Sequence, residues 1–224
     1  MLAFQAAVNM GVDYIECDIH KSADGICFIH HDPLVGRLRT TVASFAELQQ
    51  EARSLHYEIL TLTELLQLNL RRTRLDFELK EAGSEIVVVE TVKHYLSEDQ
   101  FVITSFEDVS IQAIKRAYPS IQCGLLLGIW RPRHRVMTWL RALFPFGRAR
   151  SVGADFVAPH WSLLRFWFLT RAQVAGFPVW VWTVNDQLHL RELLSDERVQ
   201  SVITDRPDIA MAVRDSLYPD NERG

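Results

Sequence analysis

At 224 residues, 48% hydrophobic and 23% charged, the chain is long enough to bury one sizeable core, and residues 1–224 read as a single globular domain. A formal charge of −4 gives no electrostatic case for nucleic acid as a partner. Three cysteines without CxxC spacing fit reduced core thiols in a cytoplasmic setting better than a disulfide framework or a zinc site. No stretch approaches the apolar length of a membrane span, and the first ten residues lack the basic start and apolar run of a signal peptide.

Leu2 to Met10 reads as the tail of a helix closed by Gly11. The strand that follows, Val12 to Ile19, alternates its side chains, so Glu16 and Asp18 share one face while Ile15, Cys17 and Ile19 share the other. Two carboxylates on one strand face suit Mg²⁺ or Ca²⁺, which take hard oxygen ligands. The alternative is a plain polar outer face on an edge strand. Too few residues separate Ile19 from Ile26 for a parallel crossover, so the two runs form a hairpin turning at Ala23-Asp24-Gly25. It ends at His31-Asp32-Pro33, where the proline stops the ladder. A histidine beside paired carboxylates is an acid/base candidate. His20 and His30 read as structural.

Further along, helical patterns cover Ser44 to Gln50, Leu62 to Leu70 behind the capping pair Thr61 and Glu64, Ser84 to Leu96, Glu107 to Ala117, Val136 to Leu143, Leu163 to Ala175, Gln187 to Leu194 and Asp208 to Ser216. They alternate with strands at Leu75 to Lys80, Phe101 to Thr104, Ile121 to Leu127, Asp155 to Ala158, Pro178 to Thr183 and Val199 to Thr204. Strands alternating with helices make an α/β protein with a parallel sheet, and polar residues gather at strand ends, as in a TIM-type (β/α)8 barrel. Seven parallel strands are counted where a closed barrel has eight, so the first strand is expected to be missing. Asp205 is placed to cap the last helix.

The linked motifs Glu16-Cys17-Asp18, Asp24-Gly25, His31-Asp32-Pro33, Glu78-Leu79-Lys80, Val181-Trp182-Thr183-Val184-Asn185 and Ile203-Thr204-Asp205-Arg206-Pro207-Asp208 follow one another over nearly the whole chain. In order and spacing this set resembles the glycerophosphodiester phosphodiesterases. The resemblance implies that Glu78 joins Glu16 and Asp18 as a ligand of a divalent cation, Mg²⁺ or Ca²⁺. It implies that Lys80 holds the phosphate, that Trp182 and Asn185 line the substrate pocket, and that His31 takes part in proton transfer. The implied reaction is metal-dependent hydrolysis of a small-molecule glycerophosphodiester to sn-glycerol 3-phosphate and an alcohol. The family's opening His-Arg-Gly, which carries a second histidine and a phosphate-holding arginine, has no counterpart here; its strand would be the missing eighth. Losing one acid/base group lowers a rate by about 10²- to 10⁴-fold, so impaired catalysis, or a non-catalytic metal- or phosphodiester-binding homologue, is the alternative.

One region departs from a plain barrel. Arg131 to Arg150 holds six arginines and no acidic residue among large apolar side chains, and Trp161 to Phe168 continues it with aromatics. This is either an ordinary amphipathic helix with a solvated basic face or a peripheral membrane contact through Arg131 to Phe168, which would admit lysophospholipid substrates.

Overall fold

The computed structural model describes residues 2–68, 70, 73–128 and 145–219. The chain divides into two compact units, Tyr14–Cys123 and Met1–Asp13 with Gly124–Gly224. Helix α1 (Leu2–Met10) ends at Gly11, whose φ of +73° is left-handed and whose N–H donates to Val8 O, the stop that the glycine predicts.

In the Tyr14–Cys123 unit, β1 (Tyr14–Lys21) pairs antiparallel with β2 (Cys27–Ile29), Ile19 opposite Ile29, through the expected hairpin. Two short strands, β3 (Leu34–Val35) and β4 (Leu38–Arg39), and helix α2 (Phe45–Ser54) follow. Phe28, Val35, Ala43, Leu48, Ala52 and Ile59 bury one another there in a small cluster of their own. Ser44 and Glu47 form a capping box at the start of α2, and Thr61 and Glu64 form another at α3 (Leu62–Leu66). The latter helix stops at Leu66 rather than Leu70.

Strand β5 (Arg74–Leu79) lies parallel to β1 with Glu16 opposite Asp76 and Asp18 opposite Glu78. Helix α4 (Glu85–Tyr95) leads to β6 (Phe101–Ser105), parallel to β5, and α5 (Asp108–Ala117) closes the unit, giving a strand order of β6-β5-β1-β2. Ile15, Cys17, Ile19, Leu75, Phe77 and Leu79 are all buried on the face opposite the acidic residues. This continuous apolar face is what a helix-covered parallel sheet requires.

In the other unit, β7 (Cys123–Leu127), β8 (Phe156–Pro159), β9 (Val179–Val181) and β10 (Val199–Val202) run parallel in that order, joined by α6 (Pro145–Val152), α7 (Phe168–Ala175) and α8 (Gln187–Leu194), with α9 (Pro207–Leu217) last. Gly124 lets β7 lie against the Phe156 ring, which stacks on Trp180 at 4.4 Å; a Cβ at 124 would run into that ring. Arg214 of α9 donates to Asp13 at 3.2 Å, tying α9 to the end of α1.

Two further expectations need correction. The helix placed at Leu163 to Ala175 begins only at Phe168, because Phe166 and Trp167 take φ of 57° and 63°, a left-handed conformation outside any α-helix; Trp161–Leu163 forms a separate 3₁₀ turn. Asp205 does not cap the last helix: its carboxylate accepts from Asn185 Nδ2 at 2.8 Å, while Arg206 occupies the cap position and Pro207 begins the helix. The helix expected at Val136 to Leu143 lies outside the described residues. No helix among the described residues is long and apolar enough to cross a membrane, and Cys17, Cys27 and Cys123 are not joined in disulfides.

Candidate functional site

Alternation along two adjacent parallel strands builds a carboxylate cluster. Glu16 and Asp18 of β1 and Glu78 of β5 offer oxygens that all lie within 4.8 Å of one another. The backbone N–H of Lys80 donates to Ile19 O at 3.1 Å, continuing the ladder past β5. Its ammonium then reaches back to Asp18 at 2.6 Å and to Glu78 at 2.7 Å. Four residues expected at the site, Glu16, Asp18, Glu78 and Lys80, are therefore together.

The electrostatics are strained. Burial, and then the neighbouring charges of Asp18, Asp76 and Glu78, push the Glu16 carboxyl well above its ordinary value, with Lys80 opposing. Burial likewise raises Glu78, against the pull of Lys80. Burial alone would lower the Lys80 ammonium, but Glu78 and Asp18 more than offset this and hold it above its usual range. Lys80 reaches two of the three carboxylates directly, whereas Glu16 Oε1 is buried with no hydrogen-bond partner. Three clustered hard oxygen donors fit a divalent cation of the Mg²⁺/Ca²⁺ type, for which such donors are the preferred ligands.

A fourth carboxylate escaped the sequence reading. Asp76, 1% exposed, lies opposite Glu16 and accepts a hydrogen bond from Thr104 Oγ1 at 2.8 Å, while its Oδ2 has no partner. Desolvation pushes its carboxyl up to about 7, the Thr104 bond opposing and the charges of Glu78 and Asp18 reinforcing. The signal was present, since in Leu75-Asp76-Phe77-Glu78-Leu79-Lys80 the alternation that pairs Glu78 with Lys80 also includes Asp76.

His31 stands at the rim, its side chain 79% exposed, with Nδ1 2.9 Å from Asp32 Oδ1. Its charge acts on Glu78, so it lies within electrostatic reach of the cluster. An Asp32 carboxylate on Nδ1 favours the tautomer that leaves Nε2 for chemistry. His20 belongs to β1 itself, 2% exposed, with Nδ1 2.5 Å from Glu81 Oε1. His30 stacks on Tyr57, and its Nε2 lies 3.0 Å from Leu34 O.

In the other unit, Trp182 Nε1 donates to Ala158 O at 2.6 Å, and its ring meets that of His160 at 5.0 Å. Asn185 Nδ2 donates to Asp205, and Asn185 Oδ1 accepts from Thr204 Oγ1 and from the Asp205 N–H, so its amide braces the end of β9 against that of β10. Phe166 and Trp167 are 70% and 81% exposed.

The model of the glycerophosphoryl diester phosphodiesterase family matches residues 1–209. The chain is 26% identical to a glycerophosphodiester phosphodiesterase of Bacillus altitudinis, covering 97% of this chain and 92% of that one, and 24% identical to one of Caldanaerobacter subterraneus, covering 92% and 87%. Among solved structures, it is similar to a glycerophosphodiester phosphodiesterase of Parabacteroides distasonis with a TM-score of 0.80 at 21% identity, covering 95% of this chain and 88% of that one. It is also similar to an Oleispira antarctica phosphodiesterase in complex with the product sn-glycerol-3-phosphate, with a TM-score of 0.77 at 22% identity, covering 95% and 89%. The shared fold is the TIM-type α/β architecture expected from the alternating elements.

Proposed function

This chain belongs to the glycerophosphoryl diester phosphodiesterase family, a family of phosphoric diester hydrolases, and from that premise we propose that it hydrolyses small glycerophosphodiesters to sn-glycerol 3-phosphate and an alcohol with a divalent cation, Mg²⁺ or Ca²⁺. The observation that carries this reading is the clustering of Glu16, Asp18 and Glu78, whose oxygens lie within 4.8 Å of one another, with the Lys80 ammonium on Asp18 and Glu78. Glu16, Asp18 and Glu78 hold the cation, which supplies charge stabilisation at the phosphoryl oxygens. Lys80, which pairs with Asp18 and Glu78, would bind a phosphate oxygen of the substrate. As water attacks phosphorus and the bond to the alcohol oxygen breaks, His31, oriented by Asp32 and acting as the doubly protonated imidazolium, gives its Nε2 proton to the departing oxygen, and the proton released by the attacking water passes to solvent. The family motif supports substrate-binding roles for Trp182 and Asn185. The reading takes residues 1–224 as one catalytic domain in a reducing, cytoplasmic setting, where cysteines outside disulfides such as these three are the norm.

The test is release of glycerol 3-phosphate from glycerophosphocholine with Mg²⁺ or Ca²⁺, then with chelator, beside Glu78→Ala and His31→Ala. Activity that disappears with chelator and in both variants is the expected result. A folded wild-type chain that binds the cation without turnover would overturn the hydrolase reading in favour of a phosphodiester-binding homologue.

A second reading concerns where the enzyme works. Phe166 and Trp167 project into solvent beside Arg165, which favours peripheral contact with an anionic lipid surface and lysophospholipids as substrates. Of the Arg131 to Phe168 stretch that suggested this, residues 131–144 lie outside the described residues. Flotation with phosphatidylserine-containing vesicles, lost in a Phe166→Ser/Trp167→Ser double variant, is the expected outcome; unchanged flotation removes these residues from the argument.

A further inference from the structure

Two buried oxygens on neighbouring strands of the same sheet face lack hydrogen-bond partners: Glu16 Oε1 on β1 and Asp76 Oδ2 on β5. Their residues are paired directly across the parallel ladder, so both side chains leave the sheet on one face, about 4.8 Å apart at the backbone. Asp76 is fixed from its other side, because Thr104 Oγ1 of β6 donates to Oδ1 at 2.8 Å, and Thr104 is itself buried. The three residues thus form a chain across three adjacent strands, from Thr104 through Asp76 to Glu16. Lys80 occupies the neighbouring rung, between Asp18 and Glu78, and its ammonium makes no ion pair with either Glu16 or Asp76. Carboxylate oxygens on two paired residues are both acceptors when ionised, so only a hydrogen-bond donor placed between them satisfies both.

We propose that Asp76 is the positioning residue of the cation site: Thr104 holds its carboxyl in place, and the carboxyl fixes Glu16 through a donor shared between their two unpartnered oxygens. Glu16 is thereby held in one rotamer, with its remaining oxygen presented to the cation. Groups that orient a metal ligand in this way typically change metal affinity by about 10- to 100-fold when removed. Thr104 fixes the relay on one side of the site, and the β1–β5 ladder fixes it on the other. The inference rests on the reading of Glu16, Asp18 and Glu78 as cation ligands.

The experiment is calorimetric titration of the full chain with Mg²⁺ and with Ca²⁺, for wild type, Asp76→Asn, Asp76→Ala and Thr104→Val, with folding of each followed by circular dichroism. Asparagine keeps the shape and supplies a donor of its own, so Asp76→Asn should bind within about threefold of wild type. Asp76→Ala should bind about 10- to 100-fold more weakly, and Thr104→Val, which keeps the volume and removes only the hydroxyl, about three- to tenfold more weakly. In turnover, Asp76→Ala should raise the cation concentration for half-maximal rate by the same factor, with kcat at saturating cation nearly unchanged. Wild-type affinity in folded Asp76→Ala or in Thr104→Val overturns the proposal. Equal loss in Asp76→Asn and Asp76→Ala also overturns it, by making Asp76 a direct ligand. A wild-type chain that binds neither cation breaks the reading of the ligands instead, which separates the two failures. Should Asp76→Ala not fold, Asp76→Asn and Thr104→Val still decide between them.

Discussion

The ends of β1 and β5 and the loop after β8 place their unfavourable groups in opposite ways. At the first, charges are withdrawn from water: Glu16, Asp76 and Glu78 are all pushed above the ordinary carboxylate range, chiefly by burial. At the second, apolar rings are held in water by a left-handed backbone at Phe166 and Trp167, a conformation that costs about 1–2 kcal/mol per residue. Both arrangements lower the stability of the isolated chain, and on the readings proposed above each would be relieved by an added component, a cation at the first and an apolar or interfacial surface at the second. Unfavourable placement of known sign thus indicates what the missing component is, and a well-packed core residue carries no such information.

The comparison is sharpest at Glu16. Glu16→Gln should lower turnover by at least about 10³-fold and abolish stabilisation by Mg²⁺, yet raise the melting temperature of the metal-free chain by a few degrees, because it removes a desolvated charge. A fall in that melting temperature would break the argument. Lys80→Met comes next. It should cost about 10²- to 10³-fold in kcat/KM through loss of the phosphate contact, while divalent cations bind more tightly to carboxylates released from their ammonium. Parallel loss of both would mean that Lys80 only maintains the fold.

Smaller effects follow. In the metal-free protein, the raised carboxyls keep protons that the unfolded chain loses from about pH 4 upward, so stability is greatest in mild acid and declines toward neutrality, where Asp76 titrates at about 7. Thermal melting between pH 5 and 8 should show a fall of roughly 5–10 °C, diminished or reversed by Mg²⁺, which binds the deprotonated groups. A rising melting temperature over that window would contradict the assigned directions. The smallest effect belongs to the exposed aromatics: Phe166→Ser with Trp167→Ser should leave hydrolysis of glycerophosphocholine within about twofold and reduce only activity on vesicle-borne substrate.

Strand alternation made most of the acidic site legible in advance. Glu16, Asp18, Glu78 and Lys80 share a face for reasons of period two, and the hairpin length determined that His31 returns toward them. Asp76 obeyed the same rule and was overlooked because no motif drew attention to it; its importance lies in burial, which a single sequence does not display. The left-handed pair at Phe166 and Trp167 was beyond reach for another reason, since neither residue type favours positive φ and local preference there pointed to a continuing helix. Asp205 illustrates competition: a short acid before a helix reads as a cap, but the Asn185 amide claimed it first.

The cluster of Phe28, Val35, Ala43, Leu48, Ala52 and Ile59 gives the segment around His31 an apolar centre separate from the residues that back the acidic face of β1 and β5. Segments with their own packing open and close as cooperative units at less than the free energy of global unfolding. On the roles proposed above, the proton donor and the cation ligands would then reside on segments with separate packing. Amide exchange should report this as faster, collective opening of residues 28–59 against slow exchange along β1 and β5.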